Sequence, residues 1–300
     1  MKNQHFGIEI EMTGLTREAA ANVIAKYFGT HARYVGGCYK EYHVADAAGR
    51  TWKVVYDSSI RAEKKVSGGT ATAGDDHKVE MVSPKCNYAD INDIQELVRL
   101  IRKAGGIVNS SCGIHVHVDA ANHNAKSLRN LVNIMASKDE LIYKALEVDS
   151  ARESRFCKKV DGRLVAALKA KKPATMDAVK NIWYAPYGGD GSYQHYHSSR
   201  YHGLNLHSVF QKGTVEFRLF NSTLHAGKIK AYIQFCLAVS HQAIAQKSAS
   251  ATPTVTYNPA YTFRCWLLRL GMIGDEFKTA RLHLMAKMEG NSAWRNANHR

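Results

Sequence analysis

No stretch of this 300-residue sequence approaches the roughly 18–20 consecutive apolar residues that a membrane span requires. The opening Met-Lys-Asn-Gln-His-Phe-Gly-Ile-Glu has no apolar leader, so a cytoplasmic protein without a membrane partner is expected. Its six cysteines (Cys38, Cys86, Cys112, Cys157, Cys236, Cys265) stand singly, with no CxxC pair, which excludes a zinc ribbon and a disulfide framework. GxxxxGK[ST], GxGxxG after a strand, HExxH and GxSxG are all missing. P-loop nucleotide binding, zincin proteolysis and α/β-hydrolase chemistry are thereby disfavoured. Acid is also short: 26 Asp and Glu against 41 Lys and Arg leave a formal net charge of +15. That excess suits nucleic acid or a polyanion such as ATP. The aromatics do not alternate with basic residues in a stacking pattern, so nucleic acid is not an expected partner.

With 45% hydrophobic and 22% charged residues, the chain can build a substantial core. Alternation predicts strands over Phe6–Met12, Glu41–Ala45, Thr51–Tyr56, Lys78–Val82 and Gly113–Asp119. A hairpin is expected from Gly203–Val209 and Thr214–Phe220 through Gln211-Lys-Gly213. Helices are expected over Arg17–Phe28, after Asp90 as cap, within Ser127–Leu146 and over Lys228–Ala245. Ser67–Gly74 reads as a flexible loop, and Gln246–Pro259 as a linker ahead of a mainly helical end. Strands and helices do not alternate strictly, so the class is α+β with a largely antiparallel sheet. Residues 1–245 are expected to form one domain, with 246–300 a helical extension packed on it.

The strands share a chemical habit. Side chains alternate across a strand, and each apolar set here is opposed by ionisable or amide groups. Phe6, Ile8, Ile10 and Met12 oppose Glu9 and Glu11. Val79 and Met81 flank Glu80. Ile114, Val116 and Val118 oppose His115, His117 and Asp119. Leu204 and Leu206 flank Asn205, and Val215, Phe217 and Leu219 alternate with Glu216 and Arg218. A solvated face accounts for any one of these. All together they favour convergence. Two carboxylates about 4 Å apart repel by roughly 4 kcal/mol at an effective dielectric near 20. Divalent cations relieve this, and carboxylate-rich sets favour Mg2+ or Mn2+ over zinc.

In order, Gly7-Ile-Glu-Ile-Glu11, Asp57-Ser58-Ser59, Val79-Glu-Met-Val-Ser-Pro84, Ser111-Cys-Gly-Ile-His-Val-His-Val118, Arg200-Tyr-His-Gly-Leu-Asn205 and Thr214-Val-Glu-Phe-Arg-Leu-Phe-Asn221 resemble the putative amidoligase family. That family is a branch of the glutamine-synthetase-like carboxylate–amine ligases. The resemblance implies a curved, largely antiparallel sheet with helices packed on one face, and ATP-dependent amide or peptide bond formation through an acyl phosphate. It implies Glu9, Glu11, Glu80, His115 and Glu216 as ligands of Mg2+ or Mn2+, with His117 touching nucleotide. Arg218 resembles the arginine that stabilises the transferred phosphoryl group, while Arg200 and Asn205 correspond to phosphate or substrate contacts. Asp57 and Ser59 are candidates for gripping the substrate amine. The expected partners are ATP, a carboxylate donor and an amine acceptor such as an amino acid, a peptide or a cell-wall-type amine. Oligomeric state stays open.

Rival readings attach to the same residues. His115 and His117, at i and i+2 on a strand, could form a zinc or copper pair. Asp57 could simply begin a turn, and Cys112 could be a packed cysteine or a thiol nucleophile. A hydrolase using the same carboxylates and histidines to activate water is the alternative function.

Overall fold

The computed structural model describes residues 1–295, and its elements fall into two compact units. One comprises residues 2–116 and 220–233; the other comprises Met1, 117–219 and the chain from Gln234 onward. The last five residues of the expected helical extension lie outside the described residues.

In the first unit, β1 (Phe6–Met12) is followed by α1 (Arg17–Phe28), β2 (Ala32–Gly36), β3 (Glu41–Ala45), β4 (Thr51–Val55), β5 (Glu63–Val66), β6 (Gly69–Thr72), β7 (Val79–Val82), α2 (Ile91–Lys103) and the first half of β8 (Gly113–Asp119). Its sheet runs β2-β3-β4-β7-β1-β8. The pairs from β2 through β1 are antiparallel. Phe6, Ile8, Ile10 and Met12 are buried, and α1 packs on β2, β3, β4 and β7. Thr16 caps α1, its hydroxyl accepting the Ala19 N–H at 3.1 Å, and Gly29 ends it in the left-handed region at φ 67°. The α2 stripe Ile91, Ile94, Leu97, Val98 and Ile101 is buried throughout, as its spacing requires.

The second unit contains the rest of β8, then α3 (Ala125–Leu146), α4 (Ser150–Arg155), α5 (Gly162–Lys171), α6 (Met176–Tyr184), β9 (Leu204–Asn205), α7 (His207–Lys212) and most of β10 (Thr214–Asn221). The helix α8 (Ala226–Ala245) begins in the first unit and ends in the second, which α9 (Pro259–Arg269) and α10 (Lys278–Met285) complete. Its strand order is β8-β10-β9, with β9 and β10 antiparallel. This is a mixed α+β architecture with a large antiparallel sheet. Among the described residues, no helix is long and apolar enough to cross a membrane. Cys86, Cys112, Cys157 and Cys236 are buried, Cys265 is half-buried and Cys38 is exposed, and among the described residues none of the six forms a disulfide.

Three local expectations need correcting. The arms of the supposed hairpin are joined by α7, because the Asn205 side chain accepts the His207 N–H at 2.8 Å and turns the chain out of the strand. The supposed loop Ser67–Gly74 contains β6, paired antiparallel to β5. Asp90 precedes α2 but does not cap it through its side chain. That carboxylate instead accepts the Asn87 N–H at 2.6 Å and two hydrogen bonds from Arg50.

Candidate active site

In the first unit, the pairing of β1 with β7 sets Glu11 directly opposite Glu80. Like charges in that relation destabilise a sheet unless something intervenes. Both are buried, Glu11 to 4% exposure, as is His115 on the next strand at 5%. One ligand atom from each of Glu11, Glu80 and His115 lies within 4.8 Å of the others. The His115 ring is held on both sides: Nδ1 is 2.9 Å from a Glu9 carboxylate oxygen, and Nε2 is 3.7 Å from Glu11 Oε1. The other Glu11 oxygen, Oε2, accepts the Gly113 N–H at 2.6 Å, which fixes its orientation. Ser222 donates its hydroxyl to the Glu11 carbonyl at 2.5 Å, clamping the backbone behind it.

The donor set, two carboxylates and one imidazole turned toward a common point, fits a divalent cation with oxygen preference and tolerance for nitrogen. The polar face of β1 and β7 is therefore a buried cluster rather than a solvated one.

In the second unit the register pairs Glu216 with Asn205. Glu216 is 3% exposed. Its Oε1 accepts from Arg218 Nη1 at 2.5 Å, and its Oε2 accepts from Asn205 Nδ2 at 2.6 Å. His117 lies 3.8 Å from Glu216 Oε1 through Nε2 and 3.0 Å from the Thr214 hydroxyl through Nδ1. The Arg218 backbone is pinned on both sides. Its N–H donates to the Gly203 carbonyl at 2.8 Å, and its carbonyl accepts from Arg152 Nη2 at 3.4 Å. Gly203 must lack a side chain here, since a Cβ would sit 2.3 Å from the Tyr143 hydroxyl.

Three sequence candidates in this unit, Asn205, Glu216 and Arg218, thus form one hydrogen-bonded group, and His117 lies beside it at 3.8 Å from Glu216. Arg200 has other neighbours: its guanidinium lies over Tyr196 and Tyr201, and Nη1 reaches the His195 carbonyl at 3.4 Å. In the first unit, Asp57 accepts the Ser59 N–H at 2.7 Å, an Asx turn that occupies one of its oxygens.

Further polar groups accompany this cluster in the same unit. His207, which follows Asn205 in the expected strand, instead starts α7, buried, sharing a 2.5 Å hydrogen bond with the Tyr184 hydroxyl. Burial holds its pKa below the usual histidine value. The rings of His197 and His207 stack at 5.6 Å. The density of histidine and tyrosine between residues 184 and 207 was the available signal, but it carries no periodicity.

The chain belongs to the family described as "putative amidoligase enzyme", whose model matches residues 2–240, and that membership supports a ligase-type function. Among curated proteins, none matches the chain.

Proposed function

We propose that this protein is an ATP-dependent carboxylate–amine ligase with a glutamine-synthetase-like fold. The observation that carries the reading is the buried convergence of Glu11, Glu80 and His115 in a chain matched to the amidoligase family. In the proposed reaction, a substrate carboxylate oxygen attacks the γ-phosphorus of ATP and ADP leaves. The amine nitrogen then attacks the acyl-phosphate carbon, phosphate departs, and the nitrogen loses its extra proton as the amide forms.

Glu9, Glu11, Glu80, His115 and Glu216 are the assigned ligands of Mg2+ or Mn2+, which when bound supplies positive charge against the ATP phosphates. The remaining roles belong to the chain. Arg218, held rigid by Gly203 and Glu216, offers a fixed guanidinium to the oxygens of the group in transfer. Phosphoryl transfer needs such positioning and neutralisation more than covalent participation. His117 and Asn205 contact nucleotide, and Arg200 is assigned to phosphate or substrate. Asp57 and Ser59 present the amine.

Thermal denaturation with Mn2+ and a non-hydrolysable ATP analogue tests this directly. Joint stabilisation by metal and nucleotide is expected, and it should vanish in Glu216→Gln. Stabilisation by metal with none from nucleotide would replace the ligase reading by the hydrolase one.

A further inference from the structure

Away from the acidic cluster, one aromatic ring of the first unit gathers three cations. The Arg17 guanidinium carbon, the Lys40 ammonium and the Lys78 ammonium lie 5.5, 5.4 and 5.6 Å from the centre of the Tyr56 ring. The four residues come from separate places: the first position of α1, the turn between β2 and β3, the end of β4 and the entry to β7. Cation–π attraction favours each contact singly, but three like charges around one ring also repel one another.

Arg17 makes the cluster more than a surface coincidence. It is only 6% exposed, its Nη1 is committed to the carbonyls of Asp75 and Lys78, and its buried Nε has no hydrogen-bond partner. A buried guanidinium with an unsatisfied donor is costly, and an anion would answer both deficits. Lys40 reaches the ring from a turn held to the Tyr56 backbone, whose N–H donates to the Tyr39 carbonyl at 2.8 Å.

The neighbouring acids offset part of this charge: Asp75 pairs with Lys78 at 3.1 Å, Asp76 pairs with His77 and also senses the Arg17 charge, and Glu18 lies in the first turn of α1.

We propose that Arg17, Lys40, Lys78 and Tyr56 form an anion-binding cradle for a phosphate or carboxylate group. Phe28 of α1 packs on Trp52, and the register sets Glu80 opposite Val55, so the cradle belongs to the face of the sheet that α1 covers and the acidic cluster to the other. The cradle is therefore a site of its own, and anion capture there does not depend on the ligase reading.

The test is calorimetric titration of the metal-stripped full chain with inorganic phosphate and, separately, with citrate at constant ionic strength. One saturable site is expected, weakened by about 10-fold or more in the Lys40→Ala/Lys78→Ala double variant. Those side chains are not part of the core, so circular dichroism should match wild type, and Arg17→Lys should weaken binding through loss of the fork. Tighter phosphate binding identifies a phosphorylated ligand and tighter citrate binding a polycarboxylate; either supports the cradle. No saturable binding of either anion, or equal affinity in the double variant, overturns it. Stabilisation by Mn2+ and nucleotide, measured on the same double variant, reports separately on the ligase reading.

Discussion

Glu11 and Glu80 oppose each other across the β1–β7 pair, both buried, with His115 within 4.8 Å. Their repulsion is a standing cost in the absence of a cation. Glu80→Gln should therefore melt at or above the wild-type temperature in metal-free buffer, by about 2–4 °C for each kcal/mol relieved. The same substitution should abolish the stabilisation that Mn2+ gives to wild type. Differential scanning calorimetry with and without Mn2+ checks both, and undiminished stabilisation of the variant by Mn2+ would remove Glu80 from the ligand set.

Arg218 is braced by Glu216 and by the Gly203 carbonyl, so its guanidinium is preorganised rather than recruited. Arg218→Ala should lower the turnover number by roughly 100-fold or more while changing the apparent KM for ATP far less. Steady-state ADP release measures this. An unaltered turnover number would exclude Arg218 from transition-state stabilisation.

Asp139 in α3 is buried, with one oxygen accepting the Val160 N–H at 3.2 Å and the other without a partner. Burial pushes its pKa up to about 7. The folded state thus keeps a proton that the unfolded chain releases near pH 4. The Asp139 contribution to stability is greatest below that lower value and falls as pH rises from about 4 to about 7, by a loss on the order of 4 kcal/mol. Asp139→Asn should flatten this part of the profile in urea titrations at pH 5 and pH 7.5. An equally steep fall in the variant would assign the slope to another group.

Arg50 binds two acids at once. Its Nε lies 2.8 Å from Asp46, and its Nη1 and Nη2 lie 2.7 and 3.0 Å from the two Asp90 oxygens. Trp52 also donates to Asp46 at 3.3 Å. The Arg50 hydrogen bonds hold the Asp90 carboxyl below its usual pKa, so this contribution is present above about pH 4 and is lost as acidity increases. Arg50→Ala strands a buried Asp46 and should cost roughly 3 kcal/mol. Arg50→Lys should recover only part of it, since the bidentate geometry is gone. Chemical denaturation of both variants is decisive: equal stability of Arg50→Ala and wild type would mean the network is neutral.

Period-two and period-3.6 patterns exposed much of this fold because β1, β8, α1 and α2 each bury a clean apolar set. β2, β5 and β6 escaped notice for the opposite reason. Their residues are mostly exposed or half-buried, so no apolar face marks them. The start of α7 imitates a strand through Leu206 and Val209, and only the Asn205 side chain, acting on the backbone of His207, breaks the alternation. The acidic and histidine positions were visible as departures from ordinary strand surfaces. The cations around Tyr56 were not, since Arg17, Lys40 and Lys78 are far apart in sequence and converge only when four segments close on one ring.

Strand β8 places His115 and His117 two positions apart, with buried Ile114, Val116 and Val118 interleaved. Parity governs everything that follows from this. A single residue gained or lost ahead of Ile114 would swap the two sets, carrying both imidazoles into hydrocarbon and three aliphatic side chains out among the acids. This segment can accept substitutions that keep its odd and even character, but it has no tolerance for a change of length.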